Sequence, residues 1–210
     1  MNLRIWLTAG CAVTMFATAS ACSSNSDAVS KSATSAPMPV SVPANTPPAP
    51  TLTAPSLQPP RQGGATDSGR QPVAFDPCTW IQDETVAAIG FNPKSRKRAN
   101  DSVAEYTAYT CRFTSDVRSM DVDSTNISFA EDQQKNGSWL HPIAPVNGRE
   151  ATSGQDQSIP GSCETHLRTK AGSVFIRMLL TLRGRGEAAD PCADMANISS
   201  AIEASIGKDN

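Results

Sequence analysis

Histidine and aromatic residues are scarce in this 210-residue chain, which has two histidines, two tyrosines, three tryptophans and six phenylalanines. Because histidine is the side chain that most often transfers protons near neutral pH, the scarcity leaves few candidates for a general base. Basic residues are not in excess either. From residue 73 onward the chain has 14 Lys and Arg against 18 Asp and Glu, a net charge of −4. This balance argues against a nucleic-acid-binding protein.

A long apolar run is also missing from the N-terminus. The apolar stretch at residues 5–16 is too short to span a bilayer as a permanent helix. It follows a short, singly basic head and precedes small residues that end at Ala21. This pattern predicts an export signal peptide over residues 1–21.

The end of the signal resembles a bacterial lipobox. Ala19-Ser20-Ala21-Cys22 carries the cysteine that such signals modify with lipid, although Leu is missing three residues before it. We therefore predict lipidation at Cys22 and a location on the extracytoplasmic face of the cell membrane. Two alternatives remain: a competing match that ends at Cys11, and ordinary cleavage after Ala21, which would give a secreted soluble protein.

Residues 22–72 are predicted to form a disordered tether after the lipidated cysteine. The segment is rich in serine and proline, with nine prolines between residues 37 and 60. Such a composition buries too little apolar surface to offset the entropy lost on ordering. The segment is thus expected to hold a folded domain, residues 73–210, away from the membrane.

Two similar motifs bracket this domain, Asp76-Pro77-Cys78 and Asp190-Pro191-Cys192. Asp suits the N-cap of a helix, and Pro suits the first turn. The first motif predicts a helix from Pro77 to about Ile89. The second predicts a closing helix whose apolar stripe is Met195, Ile198, Ile202 and Ile206.

The residues between the motifs predict mainly strands. Alternating apolar positions mark a strand around residues 109–113 and a hairpin made by residues 163–167 and 173–182. Weaker patterns predict a strand at 120–129 with a bulge or short turn near Ser124, a strand at 149–153, a basic loop at 94–98, and a short helix or loop at 131–148. The fold class is therefore α+β: a single antiparallel sheet flanked by an N-terminal and a C-terminal helix.

Four cysteines lie in the exported domain, and an even number predicts two disulfides. We favour Cys78–Cys111 with Cys163–Cys192, because each bond would link the start of a helix to a strand about 30 residues away. The other pairing, Cys78–Cys192 with Cys111–Cys163, stays open at this point.

Together these features resemble the actinobacterial, mycobacterial-type lipoproteins grouped as domain-of-unknown-function family 3558. The resemblance rests on the lipobox, the tether, the Asp-Pro-Cys helix, the strand Tyr109-Thr110-Cys111-Arg112-Phe113 and the Cys-headed closing helix. It covers the signal and roughly residues 74–207. It implies a cell-envelope lipoprotein and supplies neither a reaction nor a ligand.

Patterns of catalytic or metal-binding residues are weak. Cys163 and His166 have half of a zinc-site spacing, but a strand would place them on opposite faces. Residues 121–125 begin like a calcium loop and then lack its glycine, so a solvated strand or turn is the better interpretation. Residues 184–189 partly match a dinucleotide fingerprint without a following βαβ unit. We predict no catalytic residue, metal or cofactor.

The sequence therefore favours a noncatalytic binding or sensing module on a membrane tether. Its predicted partners are the membrane, through the lipid anchor, and either a small apolar ligand or an envelope protein, with no nucleic acid. The alternative is a structural or assembly factor of the envelope that acts by protein contact. An enzyme is not expected. A concave apolar pocket with few ionisable groups would distinguish the binding module.

Overall fold

The computed structural model describes residues 52–62, 69–208 and 210. The predicted signal peptide, Cys22 and most of the predicted tether lie outside these residues. Within the described part of the chain, no helix has the length and apolar character needed to cross a membrane.

One antiparallel sheet of eight strands forms the centre of the domain. Its main strand order is β1-β3-β4-β8-β7-β6-β5, and the short strand β2 pairs with β3. The strands are β1 Asn92–Arg98, β2 Ser102–Val103, β3 Thr107–Thr114, β4 Arg118–Thr125, β5 Leu140–Pro142, β6 Ala151–Gly154, β7 Ser162–Arg168 and β8 Ser173–Leu180. The single sheet of the predicted α+β class is confirmed.

In the described part of the chain, five short α-helices accompany the sheet, and Pro55–Leu57 form one turn of 3-10 helix. The α-helices are α1 Pro77–Trp80, α2 Asp83–Ala88, α3 Phe129–Asn136, α4 Leu182–Gly186 and α5 Met195–Ile206. α1 contacts β3 and α5 contacts β7. An N-terminal and a C-terminal helix thus flank the sheet, as the sequence predicts.

Two disulfides link these helical regions to the sheet. Cys78 in α1 is bonded to Cys111 in β3, and Cys163 in β7 is bonded to Cys192, just before α5. These two bonds are the pairing that we favoured from the sequence. Each closes a chain segment of about 30 residues, which constrains the unfolded chain by about 3–4 kcal/mol in the chain-entropy model.

Asp76 begins α1 as the sequence predicts. Its Oδ1 accepts hydrogen bonds from the backbone N–H groups of Cys78 (2.8 Å) and Thr79 (3.2 Å). These bonds satisfy two N–H groups that the helix leaves unpaired. The other oxygen accepts a hydrogen bond from Arg98. Burial raises the pKa of Asp76, and the charge of Arg98 opposes that rise.

The first helix is interrupted, so the prediction of one continuous helix over residues 77–89 is wrong. α1 ends at Trp80, and α2 begins at Asp83. Between them Ile81 is extended, with ψ of 117°, and fully buried. An extended residue lets this side chain enter the core, while Asp83 and Glu84 place negative charge in the first turn of the new helix.

The closing helix also begins later than predicted. Asp190 accepts a hydrogen bond from the backbone N–H of Cys192 (2.8 Å), as its capping role requires. The residues after it form a turn, however, and Asp194 has a left-handed backbone with φ of 59°. That conformation cannot continue a right-handed helix, so α5 starts at Met195.

Residues 94–98, predicted to be a basic loop, belong to strand β1. Arg96 donates a hydrogen bond to Asp83 (2.7 Å), and Arg98 bonds to Asp76 and Asp101. These acidic partners offset the positive charges of the strand. Asp101 is only three residues from Arg98, but Asp76 and Asp83 lie 22 and 13 residues from their partners, so the local sequence pattern did not indicate these two.

Strand β4 is regular, and neither the bulge nor the short turn predicted near Ser124 is present in it. Its pairing with β3 and β8 continues without a shift to Thr125. The apolar alternation changes because the strand ends there and Ile127 lies beyond it. Two weaker predictions agree better with the structure: β6 overlaps the predicted strand at 149–153, and α3 with β5 lies in the region predicted as a short helix or loop.

Residues 52–62, which we name the strap, lie against the domain, so the tether prediction is corrected for this part of it. Leu57 packs against the core cluster. Its carbonyl accepts hydrogen bonds from Arg98 (2.6 and 3.1 Å). The backbone N–H of Leu52 bonds to Thr79 O (2.7 Å), and Tyr109 Oη donates to Pro60 O (3.0 Å). Leucines among the prolines therefore let the strap pack, although its composition is typical of disorder.

Candidate binding site

The sheet has two faces with different chemistry, because side chains alternate along each strand. The helix face packs against α1, α2 and α5. It is apolar and carries Cys111, Phe113, Met120, Val122, Leu167, Val174, Ile176 and Met178. The charged face lies opposite. It carries Arg112, Asp121, Asp123, Glu164, His166 and Arg177, and α3 adds Asp132.

A concave pocket, the apolar pocket, opens on the helix-face side with a volume of about 500 Å³. Four parts of the chain build its wall: the start of α5, the loop 143–147 after β5, one residue of β6 and one residue of β7. Its lining is Ile143, Ala144, Pro145, Val146, Asn147, Ser153, Thr165, Met195, Ala196, Ser199 and Ser200. None of these side chains is ionisable.

The loop 143–147 is fastened to α5 by local hydrogen bonds. Val146 and Arg149 exchange two backbone hydrogen bonds of 2.9 Å around a turn at Asn147, whose φ is 50°. Asn tolerates this left-handed conformation better than most residues. Its side-chain amide donates to Ser200 O and to Glu203 (2.9 Å each). The pocket is thus a fixed part of the fold.

Small residues on α5 leave the space for this pocket. Ile198 and Ile202 of the predicted helical stripe turn into the core and are almost fully buried. Ala196 and Ser200 lie on the neighbouring surface of the same helix and face the pocket. Sequence reasoning identified the stripe and missed the pocket, because the pocket also needs a loop that lies about 50 residues away in sequence.

A second concavity, the polar cavity, lies on the charged face and has a volume of about 370 Å³. Its wall combines apolar residues with seven ionisable side chains. The lining is Ile127, Glu131, Asp132, Lys135, Asn136, Trp139, Asp156, Ile159, Glu164, His166, Phe175 and Arg177.

A chain of ion pairs runs along the inner wall of the polar cavity. His166 Nδ1 lies 2.8 Å from Asp132 Oδ2, and its Nε2 lies 3.0 Å from Glu164 Oε2. The other oxygen of Glu164 accepts a hydrogen bond from Arg177 Nε (2.7 Å). Arg177 also lies 3.5 Å from a carboxylate oxygen of Asp123. Opposite charges therefore alternate across three strands and α3.

These contacts set the ionisation of the buried groups. Burial alone lowers the pKa of His166, but hydrogen bonds and charges from Asp132 and Glu164 raise it above its ordinary value of 6.5. Burial alone raises the pKa of Glu164, but His166 and Arg177 lower it below 4.5. Burial raises the pKa of Asp123. The two carboxylates beside His166 thus favour the protonated form of its ring.

This geometry leaves His166 no ring nitrogen with which to accept a proton from a substrate. Both nitrogens face carboxylates, and the side chain is only 2% exposed. His166 does point away from the face that carries Cys163, as predicted. Sequence reasoning missed its partner Asp132, which is 34 residues away. A signal was present in β7, where Glu164 and His166 alternate with Cys163, Thr165 and Leu167 and therefore share the opposite face.

The remaining sequence candidates lie apart. Asp121, in the stretch that begins like a calcium loop, is buried in β4 and forms an ion pair with Arg112. The prediction of a solvent-exposed strand or turn is therefore wrong about exposure, because Asp121 is buried. His141 is exposed in β5, and residues 184–189 begin in α4. Among the described residues, no cluster of three or more His, Cys, Asp or Glu side chains is placed to hold a metal ion.

Comparison with known proteins gives one match. A family model described as "Protein of unknown function (DUF3558)" matches residues 7–205. No curated protein and no solved structure matches the chain.

Proposed function

This chain belongs to the DUF3558 family of proteins of unknown function, and from that premise we propose that it is a lipid-anchored binding module of the actinobacterial cell envelope. The signal peptide is removed, Cys22 carries the lipid, and the domain stands on the extracytoplasmic face of the cell membrane. There the domain binds or senses a small apolar ligand and catalyses no reaction on it.

The apolar pocket is the observation that carries this proposal. Ligand sites are usually concave, largely apolar, and between about 300 and 1,000 Å³ in volume. The apolar pocket has about 500 Å³ and a wall without ionisable side chains. An enzyme acting by acid–base chemistry would need a titratable group at its reacting centre. This wall offers apolar contact and a few hydroxyl and amide groups, which suit binding.

Export is supported by the cysteines. Disulfides persist in oxidising compartments and are rare in the cytosol. All four cysteines of the domain are paired, and they join the two helical regions to the sheet. Together with the signal-like N-terminus, this usage favours an extracytoplasmic location.

The other function suggested by the sequence, an assembly factor that acts by protein contact, would be favoured by a broad apolar surface. The large hydrophobic side chains that are exposed in the described residues fall in several separate segments. They are Val103, Tyr106, Ile143, Ile159 and Leu182. The apolar pocket therefore gives a small ligand the stronger support.

Anchoring is tested by cell fractionation. We expect a Cys22→Ala protein to leave the membrane fraction and to appear in the medium or as unprocessed precursor, because two or more acyl chains hold a protein far more firmly than none. Cys11→Ala is the matched control and should stay in the membrane. The lipobox assignment fails if Cys22→Ala remains membrane-bound.

The proposal also states that the domain binds a small apolar ligand. It predicts that a variant whose apolar pocket is filled by a large side chain no longer binds that ligand.

A further inference from the structure

The hydroxyl groups in the wall of the apolar pocket differ in whether they have a hydrogen-bond partner within the protein. Four lining residues carry a hydroxyl, and three of these groups donate hydrogen bonds within the protein. Ser153 donates to Glu164 O (2.7 Å), Thr165 donates to Ser153 (3.1 Å), and Ser200 donates to Asn147 (2.9 Å). The fourth belongs to Ser199.

Ser199 is 1% exposed, and its hydroxyl has no hydrogen-bond partner in the structure. Burying a hydroxyl without a partner costs free energy, so buried polar groups are normally paired. Among the described residues the buried hydroxyls of Thr107, Thr152 and Ser173 also lack a partner, but of these four groups only Ser199 belongs to the wall of the apolar pocket. A bound molecule with a polar atom at this point would supply the missing hydrogen bond.

The charges beside the pocket restrict what that molecule is. The nearest cation along the loop, Arg149, donates to Glu203 (3.0 Å) and to the backbone oxygens of Arg168, Gly207 and Asn210. The guanidinium of Arg149 thus donates its hydrogen bonds to these groups of the protein. An anionic head group would enter an apolar pocket without a counter-ion, and burying an unpaired charge is costly.

The pocket volume restricts the size of the ligand. A group the size of a water molecule takes about 30 Å³ in a liquid, so about 500 Å³ holds roughly 15 non-hydrogen atoms. That number corresponds to a medium hydrocarbon chain with a small head group.

Building on the proposed function, we propose that the apolar pocket takes a neutral amphiphile, a chain of about ten to twelve carbons with an uncharged hydroxyl or ester head group. Ser199 is the specificity-determining residue, because its hydroxyl pairs with the oxygen of that head group.

The test uses the mature chain, residues 22–210, with Cys22→Ser so that no attached lipid competes. Binding of 1-decanol, methyl decanoate and decanoate is measured at pH 8 by displacement of the neutral dye Nile red. We expect 1-decanol and methyl decanoate to bind at least tenfold more tightly than decanoate. Ser199→Ala should weaken the binding of 1-decanol three- to tenfold, which corresponds to the free energy of one hydrogen bond. Ser205→Ala, on the same helix and outside the pocket wall, should change nothing.

The free protein gives a second readout. Because Ser199→Ala removes an unpaired buried hydroxyl, the variant should have an equal or higher Tm without ligand while binding 1-decanol less well. A hydroxyl with a purely structural role would lower the Tm when removed. Equal binding of decanoate, or unchanged 1-decanol affinity in Ser199→Ala, would overturn the ligand class and leave the binding module standing. If none of the three molecules binds, both the ligand class and the binding module fail.

Discussion

The two faces of the sheet are buried by different means. On the helix face, hydrocarbon side chains and two disulfides join the strands to α1 and α5. On the charged face, buried ion pairs join the strands to one another and to α3. Each face also has a concavity. The apolar pocket on the helix-face side has no ionisable side chain in its wall, and the polar cavity on the charged face has seven.

The comparison shows that perturbed ionisable groups do not by themselves mark a functional site. The buried charges of the polar cavity form a chain in which His166 and Arg177 each contact a carboxylate on either side. The apolar pocket has no charge and yet leaves the hydroxyl of Ser199 without a partner. The candidate binding site is therefore located by a concave wall without ionisable side chains, together with the unpaired hydroxyl of Ser199 within that wall.

The largest effect should come from breaking the charged face at His166. His166→Leu leaves Asp132 and Glu164 as buried carboxylates without their shared cation. Removing one partner of a buried ion pair costs about 3–5 kcal/mol of unfolding free energy. Urea denaturation measures the loss.

The other histidine provides the control for this substitution. His141 is exposed, so His141→Leu should change stability by less than about 0.5 kcal/mol. A loss below about 1 kcal/mol for His166→Leu would show that the ion pairs of the charged face contribute little to folding.

A smaller effect should follow from loosening the strap on the helix face. Leu57 is half-buried against the core, so Leu57→Ala should cost about 1–2 kcal/mol, less than a fully buried leucine. Leu182→Ala is the matched control, because Leu182 is 91% exposed. If the two variants were equally stable, residues 52–62 would be part of the disordered tether, as the sequence predicts.

The smallest effect is the pH dependence that arises from the charged face. The raised pKa of His166 adds stability in full below pH 6.5, and that stability is lost as the pH rises through the folded-state pKa. The lowered pKa of Glu164 adds stability above pH 4.5, which is lost as the pH falls through its folded-state pKa. Unfolding free energies measured from pH 4 to 9 should therefore fall at the alkaline end in the native protein.

The same series in His166→Leu separates this contribution from other titrations. The fall above pH 6.5 should disappear in the variant, because the titrating imidazole is gone. The change should be smaller than the substitution itself, since a neutral imidazole keeps its packing and a hydrogen bond. An identical alkaline fall in both proteins would assign it to other groups.

Local signals predicted the outline of the domain. Each Asp-Pro-Cys motif marked the start of a helical region, and the alternation around Cys111 and Cys163 marked strands, so both disulfides followed from one cysteine per helix start and one per strand. The closing stripe of α5 was likewise visible in the sequence.

The parts that were missed depend on contacts between distant segments. Residues 94–98 form a strand because they pair with β3, and Arg98 in this strand contacts both Asp76 and the carbonyl of Leu57 in the strap. His166 is fixed by Asp132, 34 residues away. Ser199 looked like an ordinary helical serine, since only the folded loop 143–147 makes it part of a pocket.

The most direct test of the account compares the two concavities by filling each one. Ala196→Trp places a large side chain in the apolar pocket, and Lys135→Trp does the same at the polar cavity. Both positions are exposed on helices, so both variants should fold, as circular dichroism would verify. The mature chain with Cys22→Ser is then titrated with 1-decanol by Nile red displacement. We expect Ala196→Trp to lose binding and Lys135→Trp to bind as the native chain does; loss of binding in Lys135→Trp with retention in Ala196→Trp would contradict the account.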